Sequence, residues 1–268
     1  MQKIMVSFLL ISFLAQYSCR KSDRDDDKTT NTSQDYAMVQ SMALNVNKII
    51  HQAALSSQGI SANNLTTATT IFGCDTLIVD TVSSPMSIIV QFTDCSVSGI
   101  VRNGIIKATF SSKYDMAGAN VNISFIDYTH NGMPVSGAIK VVNTGINNGN
   151  PTYNFSTNEL KVEEGWKNRA IYWNANQSLT QTSGETTADF LDDSYTVTGI
   201  SNGITYAGNA FTTNTEGLNF LGNCNWVSSG IATVSPANLA VRTLDFGSGC
   251  DNNAVVTLFE KQHEIAFP

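Results

Sequence analysis

The stretch ANVNISFIDYTHNGMPVSGAIKVVNTGINNGNPTYNFSTNELKV, residues 119–162, indicates the fold class of this chain. Apolar and polar side chains alternate along three runs that are rich in β-branched and aromatic residues, a pattern typical of β-strands. Asn131-Gly132 and Asn148-Gly149 separate the runs, and such pairs accept the positive φ angles of tight hairpin turns. The stretch therefore predicts three consecutive strands, at residues 119–128, 135–143 and 152–162.

The same two-residue period continues on both sides of this stretch. Because no helical segments alternate with the strands, we expect antiparallel pairing. The predicted fold is all-β, an elongated antiparallel sheet or sandwich. Nine further strands are predicted, at residues 76–82, 86–92, 104–114, 169–179, 195–199, 203–213, 230–234, 239–246 and 254–259.

One amphipathic helix is predicted ahead of the sheet, over residues 35–57. Asp35 is the expected N-cap, and Gly59 is the expected stop signal. We expect His51 to lie at the surface or half-buried on this helix. The apolar positions recur at intervals of three and four, at Met38, Met42, Val46, Ile49 and Ala53.

The N-terminus has the organisation of a signal peptide, predicted over residues 1–18. Lys3 precedes an apolar run at residues 4–15, which is too short to span a membrane. Ser18 directly before Cys19 resembles a lipobox, in which the cysteine thiol becomes linked to diacylglycerol. We therefore predict lipidation of Cys19; an ordinary signal peptide with a chance cysteine is the alternative.

Residues 19–34 follow as a predicted disordered tether, because residues 20–34 contain no apolar side chain. The acidic cluster at residues 25–27 is similar to the surface-export signal of Bacteroidota lipoproteins. That resemblance implies a protein anchored by lipid in the cell outer membrane and facing the exterior, with the periplasmic face as the alternative.

The other four cysteines, Cys74, Cys95, Cys224 and Cys250, form two pairs whose midpoints each fall at or beside a Ser-Pro dipeptide. Residues equidistant from a hairpin turn lie opposite each other, close enough for a disulfide. We therefore predict two disulfide-stapled hairpins, Cys74–Cys95 and Cys224–Cys250. A metal site is the alternative, but the chain contains no C-x-x-C pair.

The repeated cysteine hairpin suggests an internal duplication of residues 71–145 and 195–268 within a β-rich domain at residues 35–268; chance recurrence is the alternative. Three stretches, at residues 141–145, 192–199 and 244–251, resemble a set of β-rich surface lipoproteins of Bacteroidota. The resemblance runs from about residue 70 to the end. It implies location and fold but no activity.

Composition and motifs exclude several function classes. The formal net charge is −7, whereas a nucleic-acid binder needs a basic face. Charged residues make up only 14%, while Thr, Ser and Asn number 28, 27 and 27. No nucleophile elbow, zinc-protease motif or phosphate loop occurs, so we expect no enzyme, no cofactor and no metal. Carboxylates that could serve a hydrolase or calcium are Glu163, Glu164, Asp189, Asp192 and Asp193.

Aromatic side chains are the better candidates for ligand binding. Tryptophan and tyrosine rings on a sheet surface could stack on sugars, although tryptophans in β-proteins more often fill the core. The expected function is a non-catalytic adhesion, ligand-presentation or envelope-structural role, with a membrane partner through the lipid anchor; a glycan-binding module is the alternative. The candidate ligand-binding residues are Trp166, Tyr172, Trp173 and Trp226.

Overall fold

A computed structural model describes residues 30–62, 69–185, 187 and 189–268, with the backbone alone at position 166. In these residues, one helix, α1 (Asn31–Leu55), precedes thirteen strands. The strands are β1 (Asp75–Asp80), β2 (Met86–Val97), β3 (Ile100–Phe110), β4 (Asn120–His130), β5 (Met133–Asn147), β6 (Asn150–Glu163), β7 (Ala170–Ser183), β8 (Ser194–Ile204), β9 (Ala210–Leu221), β10 (Val227–Pro236), β11 (Arg242–Ser248), β12 (Asn253–Leu258) and β13 (Lys261–Ala266).

All thirteen strands form one sheet in which each strand pairs with the next along the chain. Every pairing is antiparallel, from β1–β2 through to β12–β13. The prediction of an all-β antiparallel fold with one N-terminal helix is confirmed. The inner face of the sheet packs on α1, which takes the place that a second sheet would occupy in a sandwich.

Helix α1 lies inside the curved sheet. It contacts β2, β7 and β10, which are far apart in strand order, so the sheet curves around it. Twenty of its 25 residues are buried, and none is fully exposed. The helix is therefore not amphipathic in the predicted sense, because it has no solvent-facing side. Its composition agrees, since Asp35 and Lys48 are its only Asp, Glu, Lys or Arg residues.

The helix also begins earlier than predicted. Thr30 is the residue that precedes it, so residues 31–34 are helical rather than part of a tether. Asp35 lies inside the helix, where its carboxylate accepts a hydrogen bond from the Tyr206 amide at 3.0 Å instead of capping. The predicted signal peptide, Cys19 and the tether up to residue 29 lie outside the described residues.

Two strand predictions need correction. Residues 203–213 were expected to form one strand, but the chain turns between Ile204 and Ala210, where β8 ends and β9 begins. Strand β13 was missed, because its sequence KQHEIA is mostly polar and charged. It pairs with β12 in full register and buries Ile265.

Both predicted disulfides are present. Cys74 and Cys95 join the start of β1 to β2, with their Cα atoms 5.3 Å apart. Cys224, between β9 and β10, bonds to Cys250, which follows β11, with a Cα separation of 5.5 Å. Each bond closes a loop of about 20–30 residues and stabilises the fold by about 3 kcal/mol, chiefly by restricting the unfolded chain.

The core is one continuous cluster that includes α1 and strands from β1 to β13. Apolar inward positions of the strands face the helix. Many outward positions carry Thr, Ser or Asn, and some carry exposed apolar side chains, such as Ile78, Ile126 and Ile200. Within the described part of the chain, no helix combines the length and apolar character needed to cross a membrane.

Candidate functional site

A cavity of about 740 Å³ opens at the C-terminal end of α1. Three connections from the same end of the sheet surround it: β3–β4, β5–β6 and β7–β8. We call it the end cavity. Its lining residues are His51, Leu55, Tyr114, Asp115, Ala117, Asn143, Gly145, Ile146, Pro151, Tyr153, Gln181, Gly184, Glu185 and Thr187.

A hydrogen-bonded network centred on His51 lies at the base of the end cavity. The Nδ1 atom of His51 is 2.6 Å from the Tyr114 hydroxyl. The Nε2 atom is 3.0 Å from Asp193 Oδ2 and 3.1 Å from the Tyr195 hydroxyl. Gln181 donates to the other Asp193 oxygen at 2.9 Å, so both carboxylate oxygens are occupied. All of these side chains are buried.

One arrangement of protons satisfies this network with neutral His51. The Nε2–H group donates to Asp193, and Nδ1 accepts from the hydroxyl of Tyr114. The Tyr195 hydroxyl donates to the same Asp193 oxygen at 3.0 Å. Asp193 thereby orients the imidazole, and the imidazole in turn orients Tyr114.

This order of groups, hydroxyl to imidazole to carboxylate, is the one that activates nucleophiles in hydrolases. The pKa values are unfavourable for that chemistry. Burial, and then electrostatic repulsion by Tyr153 and Asp193, raise the pKa of Tyr114 well above its usual value. Burial also raises the pKa of Tyr195, and Asp193 adds to the effect. Both hydroxyls therefore stay protonated, which suits hydrogen bonding better than nucleophilic attack.

Tyr153 forms the aromatic wall of the end cavity together with Tyr114. The two rings are stacked, with centroids 6.3 Å apart and an interplanar angle of 18°. Tyr153 is 8% exposed, and its hydroxyl has no hydrogen-bond partner among the described residues. Burial, Asp193 and Asp115 raise its pKa to about 12, so the hydroxyl is neutral at physiological pH.

The aromatic residues predicted to bind a ligand are not on one surface. Trp173 is fully buried, and its indole donates to the Ser201 hydroxyl at 2.9 Å, so it is a core residue and not an exposed sugar platform. Tyr172 is 42% exposed, because neighbouring strand residues face opposite sides of a sheet. Trp226 is half-buried against the core. The Trp166 side chain lies outside the described residues.

Tyr172 lines a shallow depression of about 640 Å³ on the outer face of the sheet, across β7, β8 and β9. We call it the outer groove. Polar side chains of Asn174, Asn202 and Thr212 share its lining, and Ile204 adds an exposed apolar side chain. Lys161 Nζ lies 5.9 Å from the centre of the Tyr172 ring.

The predicted carboxylate pairs are engaged in local contacts. Glu163 pairs with Lys161, and Glu164 pairs with both Lys167 and Arg169. Partial burial would raise the pKa of Glu164, but hydrogen bonds and charges from its two basic partners bring it below the usual value.

The three acidic residues near the β7–β8 connection have separate partners. Asp189 caps the Leu191 amide, and Asp192 accepts from the Thr187 hydroxyl, whereas Asp193 joins the His51 network. Among the described residues, no group of three His, Cys, Asp or Glu side chains is arranged to hold a metal ion.

Sequence reasoning did not find the end cavity. His51 and Asp193 are 142 positions apart, and no spacing rule connects a helix residue to a hairpin connection. One signal was available: apolar residues occur on every side of α1 and charged residues are almost absent from it, a pattern typical of a buried helix. No protein-family model, curated protein or solved structure matches the chain.

Proposed function

We propose that this protein is a lipoprotein anchored by Cys19 in the cell outer membrane, facing the exterior, and that it presents the end cavity to a ligand without catalysing a reaction. The apolar run at residues 4–15 followed by Ser18-Cys19 supports the anchor, and the position of the end cavity supports its presentation to a ligand. The cavity lies at the end of α1 opposite the end by which the chain enters the domain, so an anchor upstream of the helix leaves the cavity directed away from the membrane.

The separation between the two ends supports this orientation. The 25 residues of α1 span about 37 Å at 1.5 Å per residue. Gln34, at the N-terminal end, donates to the Ala266 carbonyl of β13, while His51, near the other end, lines the end cavity. Cys19 precedes the helix by twelve residues, counting to Asn31.

The chemistry of the end cavity favours binding over catalysis. Its central histidine is held by a buried carboxylate and two hydroxyls, and the tyrosine pKa values are raised rather than lowered. A preformed cavity with a few fixed polar groups and an aromatic wall is typical of ligand-binding sites. The two disulfides constrain other parts of the same sheet, at β1–β2 and at β9–β11.

Proteinase K treatment of intact cells tests the anchor and its orientation. The wild-type protein should be digested by the proteinase in intact cells. In a separate detergent phase-partitioning assay of lysed cells, it should enter the detergent phase. Cys19→Ala should lose detergent partitioning, because the diacylglycerol thioether cannot form. Ser22→Ala, just downstream, is the matched control and should behave as wild type. Protection of the wild type in intact cells would contradict surface display, and detergent partitioning of Cys19→Ala would contradict the lipid anchor.

Glycan binding at the outer groove is the second candidate, favoured by the exposed ring of Tyr172 beside Asn174 and Asn202. An exposed aromatic face with neighbouring amides suits stacking and hydrogen bonding to a sugar. A glycan array should then show binding that falls about tenfold or more in Tyr172→Ala. Ile200→Ala, which removes an exposed outer-face side chain outside the groove, should not change it. Equal binding by both variants would dismiss this candidate.

A further inference from the structure

We propose that the end cavity binds a small organic ammonium ion, such as an alkylamine or the side chain of lysine. The inference rests on the proposed function of the end cavity as a ligand site, and it names the class of ligand. The cavity is negatively charged: Asp115 and Glu185 line it, and no lysine or arginine is among its described lining residues.

Asp193 adds a third negative charge beneath the cavity. Its Oδ1 atom accepts from the Gln181 amide, and its Oδ2 atom accepts from Tyr195. Neutral donors satisfy the hydrogen bonds of a carboxylate but do not cancel its charge. The Asp193 charge reaches the cavity wall, since it contributes to the raised pKa of both Tyr114 and Tyr153, and the interior screens it less than water would.

The aromatic wall provides a second, independent feature. The Tyr153 hydroxyl is without a hydrogen-bond partner among the described residues, on a side chain that is more than nine-tenths buried. It is close enough to Asp115 and Asp193 to feel both charges. An ammonium group beside it would donate one N–H to the phenol oxygen and approach the faces of the tyrosine rings, which attract cations.

The rest of the cavity fits an alkyl chain attached to the ammonium group. Leu55, Ile146 and Pro151 supply apolar surface at the lining, and Ile146 is 76% exposed. The volume of about 740 Å³ falls within the range of small-molecule sites. Among the described lining residues, the Asp, Glu, Lys and Arg side chains are limited to Asp115 and Glu185, so an anionic ligand would be repelled.

The nearest buried lysine does not oppose this assignment. Lys48 is one turn before His51 on α1, and its ammonium group donates to the Cys224 carbonyl at 2.6 Å. Lys48 is absent from the lining of the end cavity. Burial and the nearby Arg102 charge lower its pKa to about 7, so its positive charge is reduced at neutral pH.

Calorimetric titration of the full chain with n-butylammonium tests the proposal, with 1-butanol as the neutral probe of matched shape. We expect saturable binding of the ammonium ion, at least tenfold tighter than any binding of the alcohol. Raising the salt concentration from about 50 to 500 mM should weaken it several-fold, because salt screens the carboxylates. Binding of Nα-acetyl-lysine amide as tight as that of n-butylammonium would indicate a lysine side chain as the natural source. Weaker binding would indicate a free amine.

Two variants locate the site. Glu185→Gln should weaken butylammonium binding about five- to tenfold by removing a charge. Tyr153→Phe keeps the aromatic wall and loses only a hydroxyl that has no described partner, so it should weaken binding several-fold without destabilising the fold. Glu216→Gln, an exposed carboxylate on β9, is the matched control and should bind as wild type.

The outcomes separate this inference from the proposed function. Equal binding of the alcohol, or ammonium binding that neither Glu185→Gln nor Tyr153→Phe weakens, would overturn the ammonium assignment. A neutral sugar whose binding is lost in Tyr153→Phe would overturn it as well, yet leave the end cavity as the ligand site. Protection of the wild type from proteinase K, or detergent partitioning of Cys19→Ala, would overturn the proposed anchor and orientation and leave the ammonium assignment untouched.

Discussion

Lys48 and Arg102 place two cationic side chains in the interior of this domain. Lys48 is 7% exposed and donates to the Cys224 carbonyl, while its ammonium group lies 5.4 Å from the centre of the Phe220 ring. Arg102 is 1% exposed, and its guanidinium lies 5.0 Å from the Phe72 ring centre. Desolvation, and then repulsion by Arg102, lower the pKa of Lys48 to about 7. Protonation of Lys48 therefore costs more free energy in the native state than in the unfolded chain.

This cost predicts a pH dependence of stability. An unfolded lysine has a pKa near 10.4, so between about pH 7 and pH 10 the unfolded chain binds more protons than the native one, and the free energy of unfolding rises with pH. The Lys48 contribution approaches 1.4 kcal/mol per pH unit at most. Urea unfolding at pH 7, 8 and 9 should show a flatter rise in Lys48→Met. Exposed Lys140→Met is the control, and identical slopes in Lys48→Met and wild type would refute the assignment.

Irregularities in the strands bend the sheet around α1. Gly104 interrupts the β3–β4 register with a φ of +83°, and a Cβ atom there would lie 2.2 Å from the Asp127 carbonyl oxygen. Gly137 does the same in β5, where a Cβ would lie 2.2 Å from the Glu159 carbonyl oxygen. Bulges of this kind increase local twist and curvature. Glycine at these positions is therefore required by the close approach of the neighbouring backbone.

A pair of alanine substitutions separates close approach from backbone strain. Gly149, in the β5–β6 turn, has a φ of +89° but open space around it. Gly149→Ala should cost about 1–2 kcal/mol, the penalty of a left-handed conformation. Gly104→Ala should lose at least about 2 kcal/mol more, because the strands must separate. Urea midpoints measure the difference, and equal midpoints would show that the bulge tolerates a side chain.

Within the whole molecule, α1 acts as the core around which one sheet is built. Its contacts join parts of the chain that are far apart: Gln40 exchanges two amide hydrogen bonds with Gln177 of β7, at 3.1 and 2.7 Å. The Ser41 hydroxyl accepts from the Val227 amide of β10. A helix enclosed in this way tolerates charged substitutions poorly on every side, in contrast to an amphipathic surface helix.

Glutamate substitutions around the helix test this enclosure. Ala37, Met42 and Ala43 lie on three different sides of α1 and are all buried. Ala37→Glu, Met42→Glu and Ala43→Glu should each lower stability by several kcal/mol, because each places an unpaired charge in the core. Asn47→Glu, at a half-buried position, should be far milder. The midpoints of thermal unfolding of the four variants measure these differences. A wild-type midpoint for any of the three variants at buried positions would indicate that this side of the helix is open.

Local patterns in the sequence accounted for most elements of the fold. The two-residue period along residues 119–162 predicted β4 to β6, because alternation follows from the geometry of one strand. Cys74 and Cys95 could be paired in advance because a hairpin relates them by symmetry about its turn. Strand β13 could not be recognised, since its KQHEIA sequence owes its position to β12 rather than to its own apolar content.

The face on which each strand is buried, and the site at the end of the helix, depended on tertiary structure. Alternation showed that Tyr172 and Trp173 face opposite ways but not which one faces inward. The curvature of the sheet placed the tryptophan in the core. His51 contacts Asp193 because the sheet curves around the helix and brings the β7–β8 connection to the C-terminal end of α1. Curvature accumulates over thirteen strands and their bulges, so no local stretch of sequence contains it.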